Sequence, residues 1–112
     1  MRNDMALMLD MLLAARNILL FTAGMTADAF EDNLMAQSAV VRELQVIGEA
    51  ARLITPETKA LHPGIAWREI VGMRNRVIHE YFDVRLDIVW DVIQNDIPPL
   101  VVQLEAIVPP EE

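Results

Sequence analysis

Val40, Leu44, Ile47, Ala51 and Ile54 are spaced four, three, four and three residues apart. That spacing makes a coiled-coil-like seam on one face of a helix from about Asn33 to Leu53, ended by Thr55-Pro56. Gly48 inside the seam costs helix stability, so close approach of another helix is the natural explanation. Strong helix formers dominate the rest of the chain as well, and Gly and Pro fall between segments rather than inside them. The pattern predicts a first helix over about Asp4 to Phe21, ended by Thr22-Ala23-Gly24. A short helix opened by Thr26 and Asp28 runs to about Asp32. One helical turn is placed around Glu57 to Leu61, and a helix from about Ala66 to Tyr81. Asp83 is placed to cap a helix over about Val84 to Asn95, and Pro98-Pro99 to break or restart a last helix running to about Val108. The expectation is an all-α, four- to five-helix up-and-down bundle in a single domain over residues 1–112, with 109–112 as a flexible tail.

Within the first helix Asn3, Asp10 and Asn17 recur every seven residues as a narrow polar stripe, and most of the remainder is Met, Leu, Ile or Ala. Such a helix needs cover on more than one side, from its own chain or from a second copy, which favours a homodimer. The methionines of the first helices, Met5, Met8, Met11 and Met35, read as adaptable packing rather than a cofactor box. With 112 residues and 54% hydrophobic content the chain can bury a core without metal or disulfide staples. The absence of cysteine excludes a disulfide scaffold, a thiolate zinc site and a cysteine nucleophile, and permits a reducing, cytoplasmic home. The longest uncharged run, Asn17 to Ala27, falls short of the roughly 20 residues that a spanning helix requires, so no membrane is expected. Seventeen acids against nine bases give a formal charge of −8. This argues against broad contact with a nucleic-acid backbone.

The segment from Trp67 to Phe82 does not fit a bland bundle. On a helical wheel of about 100° per residue, Trp67, Ile70, Val71, Met73, Val77, Ile78 and Phe82 fill one broad apolar arc. Arg74 falls near the middle of that arc, with Tyr81 almost directly above it. Asn75 and His79, four apart, share one flank with Arg68 nearby, while Arg76 and Glu80 form an exposed i,i+4 pair on the far face. Burying an unpaired guanidinium costs several kcal/mol, so Arg74 needs a partner. One reading gives it a carboxylate of the long helix, Glu43 or Glu49, and makes Asn75 and His79 satisfied core groups. The other sets the arc against a symmetric copy of itself, with the polar set lining a cleft at the seam. Arg74 and His79 lie about 140° apart around one helix and do not share a small target within one chain, but two such helices can converge on one bound group.

Arg, His, Asn and Tyr suit a phosphate: Arg as a two-pronged donor, His as a group that exchanges a proton near neutral pH, Asn as an orienting partner. Between Ala66 and Phe82 there are three Arg against two Glu, while the remainder carries six bases against fifteen acids. The basic patch is small and local, and suits one phosphate better than a long backbone track. His62, beside Pro63, reads as a surface residue, and no His/Asp/Glu spacing suggests a metal.

Arg74-Asn75-Arg76-Val77-Ile78-His79-Glu80-Tyr81 resembles the Arg-Asn-x3-His-x-Tyr signature of HepT-like HEPN proteins. Flanking blocks resemble that family in order: Thr22-Ala23-Gly24-Met25 as its loop, Val46-Ile47-Gly48-Glu49-Ala50-Ala51 in its long helix, and Pro63, Trp67-Arg68 and Gly72-Met73 ahead of the signature. Trp90 and Gln94 to Leu100 complete the set. The resemblance implies an α-helical homodimer and a metal-independent endoribonuclease with no cofactor, the toxin of a type II/VII-like toxin–antitoxin pair. It also implies a minimal nucleotidyltransferase partner that transfers AMP onto the signature tyrosine. By that resemblance Arg74 and His79 are catalytic, Asn75 supports them, Tyr81 is the modification site, and Arg68 and Arg76 are candidates for phosphate or RNA contact. The alternative is a non-catalytic helical module that docks a nucleotidyltransferase, or a structural dimer without ligand.

Overall fold

The structure, a computed structural model, describes residues 3–78 and 83–110. Helix α1 (Asp4–Phe21) starts where Asn3 adopts an extended conformation and its Oδ1 accepts from the Ala6 N–H at 2.8 Å. Asn3, read from the sequence as part of a polar stripe, is therefore the N-cap. At the other end the Thr22 hydroxyl donates to the Ile18 carbonyl, and Gly24 takes the left-handed conformation at φ 76° that a side chain disfavours. Thr26 caps α2 (Ala27–Glu31) through Ala29, Asn33 caps α3 (Leu34–Leu53) through Ala36, and Thr55 caps α4 (Pro56–Leu61), with Pro56 in the first turn.

All five residues of the seam are buried, four on α3 and Ile54 just past its end, with Val40, Ile47 and Ala51 fully so. They pack against α1, whose Met11, Ala15 and Ile18 are also completely buried, while α8 (Ile97–Glu105) covers a second side of α1. Each Val, Leu, Ile or Met among them contributes about 1.5–3 kcal/mol relative to exposure, and each Ala less. The crowded apolar surface of α1 is thus covered largely by its own chain, though Leu20 stays 71% exposed. Asp4 ties the start of α1 to α4: its carboxylate accepts from the Thr55 N–H at 3.2 Å and from the hydroxyls of Thr55 and Thr58. Phe30 on α2 meets Trp90 with ring centroids 5.5 Å apart. Gly48 does what the sequence suggested: a Cβ there would stand 3.2 Å from the Ile70 carbonyl oxygen.

The second half is more broken than the sequence predicts. In place of one helix from 66 to 81 there are α5 (Trp67–Val71) and α6 (Met73–Val77), separated at Gly72, whose ψ of 4° leaves the helical region. Ile78 is extended (φ −108°, ψ 116°) and forms an isolated antiparallel bridge with Val84, backed by the Arg85 N–H donating to the Val77 carbonyl at 2.7 Å. The continuous wheel therefore ends at Ile78, and its positions 79–82 lie outside the described residues. Asp83 does not cap the next helix. That helix, α7 (Leu86–Asp91), starts at Arg85 without a side-chain cap, and a π-helical turn (Val92–Asp96) carries the chain into α8. Pro98 and Pro99 sit in the first turn of α8, where missing N–H groups cost nothing, so they restart a helix rather than break one. The fold is all-α, with three long packed helices and shorter ones between them. Among the described residues no helix is long and apolar enough to cross a membrane.

Candidate functional site

Helix α6 is only five residues long, and packing decides which way each of its side chains faces. Met73 and Val77 are buried, with the core side of α3 beside them. Arg74 and Asn75, adjacent in sequence, are exposed and line a cleft of about 380 Å³ between α6 and α3. The opposite wall comes from one side of α3: Gln45, Gly48, Glu49 and Arg52. Gly48 matters here because its missing side chain lets α5 settle onto α3, which sets the width of the cleft.

Arg74 does not take the carboxylate partner that its place in an apolar arc called for. Glu43 is 6% exposed and accepts from Asn17 Nδ2 at 2.7 Å and from Arg42 at 3.1 Å. Glu49 pairs with Arg52 through two hydrogen bonds of 3.1 and 2.5 Å. Among the described residues no acid is bonded to Arg74. The break at Gly72 resolves the conflict, because it turns Arg74 toward solvent and removes the need to bury its charge. An exposed guanidinium to which no described carboxylate is bonded offers donors to an incoming anion.

The other half of the cleft adds groups the motif did not flag. Arg52 brings a second guanidinium to the cleft, and Glu49 holds it from one turn away. The hydrogen bond and charge of Arg52 keep the Glu49 carboxyl below its usual range, and Glu49 in return raises the guanidinium. Both stay charged at neutral pH, and the pair is pre-oriented. The i,i+3 spacing of Glu49 and Arg52 was visible in the sequence, but only the fold sets it opposite Arg74.

Arg68 is exposed on α5 and does not line this cleft. Arg76 lies on the other side of α6 and meets Asp96 of the π-helical turn at 3.5 Å. Glu80, the expected partner of Arg76, lies outside the described residues, and Asp96 is half-buried against Arg76. His79 and Tyr81 also lie outside the described residues. The bridge between Ile78 and Val84 fixes the two positions from which the 79–82 segment departs and returns.

No solved structure matches the chain. Among curated proteins, one of Methanocaldococcus jannaschii that carries an RNase name is 33% identical over 106 residues, 95% of this chain and 97% of the relative. The protein named "Probable ribonuclease HepT" of Thermococcus cleftensis is 46% identical over 74 residues, 63% of this chain and 67% of the relative. A third relative with an RNase name, from Caldanaerobacter subterraneus subsp. tengcongensis, is 37% identical over 89 residues, covering 80% of each chain. The profile described as "Ribonuclease HepT-like" spans residues 11–107, which take in both walls of the Arg74 cleft. The chain belongs to the ribonuclease HepT-like family.

Proposed function

We propose that the protein is a metal-independent endoribonuclease, the toxin of a toxin–antitoxin pair working in the cytoplasm, with Arg74 and His79 as its catalytic pair. The observation that carries the reading is an exposed Arg74 beside Asn75 in a cleft where no described acid is bonded to it, in a chain of a ribonuclease family. In this mechanism the RNA 2′-hydroxyl attacks the adjacent phosphorus, the bond to the 5′-oxygen breaks, and the products carry a 2′,3′-cyclic phosphate and a 5′-hydroxyl. His79 takes the proton from the 2′-hydroxyl or supplies one to the leaving oxygen, a role typically worth 10²–10⁴-fold. Arg74 stabilises the charge that gathers on the phosphate oxygens, and Asn75 fixes the phosphate or the imidazole. Arg68 and Arg76 contact the flanking strand.

The single domain works as a homodimer, with Arg74 of one copy serving the His79 of the other. The α3 face supports this arrangement. The cleft at Arg74 continues along the helix into shallow apolar grooves that share Gln45 and include Val41, Val46 and Leu53, a surface suited to a second copy. A minimal nucleotidyltransferase antitoxin silences the enzyme by joining the Tyr81 phenol oxygen to the α-phosphorus of ATP, with pyrophosphate leaving. The added nucleotide places a bulky anion beside Arg74 and repels RNA by charge and volume.

The test is cleavage of RNA by the purified chain. Activity should persist in EDTA, yield cyclic-phosphate ends, and fall about 10²–10³-fold in Arg74→Ala with helicity retained. Growth arrest on expression should vanish with it. Cleavage that stops in EDTA, or that survives Arg74→Ala together with His79→Ala, would overturn the reading, and the latter would point to a contaminating nuclease. Binding of a nucleotidyltransferase with no cleavage at all would instead support a docking module.

A further inference from the structure

A second cleft, of about 390 Å³, opens on the other side of α6, against the start of α8. Arg76 follows Arg74 by two residues, about 200° around the helix, so the two arginines serve opposite walls. The floor is apolar: Ile70, Met73 and Leu100 line it and are almost fully buried. The rim is charged. Arg76 and Asp96 meet across it at 3.5 Å, with 37% and 42% of their side chains exposed. A hydrogen bond that long is at the limit of the interaction, and an open pair contributes little, so a ligand offering better partners to both groups parts them at small cost. Asp96 reaches this position through the π-helical turn (Val92–Asp96), and single π-helical turns inside helices recur at functional sites.

We propose that this cleft is a nucleobase subsite for a guanine of the RNA substrate. The base lies on the apolar floor, the two oxygens of the Asp96 carboxylate accept from its adjacent N1–H and N2–H donors, and Arg76 donates to O6. The base enters and the backbone does not, because Glu69 and Asp96 on the rim outnumber Arg76 and repel a phosphate. Guanine fits best because it alone among the four bases presents two adjacent donors to a carboxylate, and recognition of an unstacked base works through such edges. The inference rests on the ribonuclease reading for its substrate, with the two clefts separated by one short helix.

The experiment titrates the full-length chain with GMP, IMP, AMP, CMP and UMP, following the amide resonances around Asp96 by NMR. GMP should bind about 10-fold or more tightly than the other four. IMP is the decisive comparison, since it lacks only the N2 amino group. Asp96→Asn should bring GMP down to the level of AMP, and RNA should be cut preferentially beside guanine. Equal binding of GMP and IMP, absence of any shift near Asp96, or cleavage with no guanine preference would overturn the subsite. If Asp96→Asn fails to fold, the GMP and IMP comparison in the unaltered chain decides alone. GMP binding at Asp96 in a chain whose cleavage ignores Arg74→Ala would leave the subsite standing and sink the catalytic reading. The converse result, Arg74-dependent cleavage with no nucleotide preference, would do the reverse.

Discussion

Arg74 shows what a single residue can and cannot disclose. Its neighbours at 70, 73 and 77 are buried, so a wheel drawn through the segment sets it among carbon side chains and demands an acid. The demand disappears once Gly72 leaves helical geometry, a change of about 45° in one ψ angle at a glycine, the residue that most readily ends a helix. Side-chain chemistry was legible at this position, and the environment was not. Asp4 is a plainer case, with a consequence that can be measured. Hydrogen bonds from the Thr55 and Thr58 side chains hold its carboxyl below the usual aspartate value near 3.9. A depressed carboxylate stabilises the fold above its unfolded pKa, and that contribution is lost as pH falls through the folded value. Asp4→Asn should therefore lower the melting temperature at pH 7, with the difference from the unaltered chain shrinking below about pH 4. A difference that is constant across that range, followed by thermal melts in a pH series, would show that the staple acts through packing alone.

At the scale of elements, the helices from α1 to α4, short and long alike, were readable, and the broken stretch from α5 to the π-helical turn was not. The boundaries of α1, α2 and α3 follow from caps and punctuation next to each other in the chain: Thr22 to Gly24, Thr26, and Thr55-Pro56. The Ile78–Val84 bridge has no such signal, because it is a pairing set by how α6 and α7 are held by the core, and apolar periodicity alone extends the helix through it. The π-helical turn is equally silent in sequence. Gly48 was the informative exception, since a glycine in a helical seam implies close approach and the contact at 3.2 Å supplies it. Gly48→Val should cost about 1–3 kcal/mol, because the added methyl groups press on the backbone of α5 and displace the far wall of the Arg74 cleft. Denaturant unfolding reads the loss of stability, and RNA cleavage should fall further than the unfolded fraction explains. Equal stability of the two chains would show that α5 yields freely.

At the scale of the whole molecule, 112 residues suffice for one hydrophobic cluster spanning α1, α3 and α8, and the all-α class follows from helix formers and the placing of Gly and Pro. The acidity read from the composition is consistent with a site that handles one phosphate locally, with Arg74 and Arg52 as the cations of its cleft. The proposed pairing of two copies is not legible from one chain, since symmetry leaves no mark in a sequence beyond an apolar face without cover. In the proposed dimer the guanidinium of one copy acts with the imidazole of the other, and mixing two inactive variants checks that pairing. Arg74→Ala and His79→Ala chains, each inactive alone, are co-expressed and the mixed dimer assayed on RNA. One of its two sites then holds both native groups, and cleavage should return to about half the native rate per dimer. A mixed dimer as inactive as either parent would rule out a site shared between the two copies.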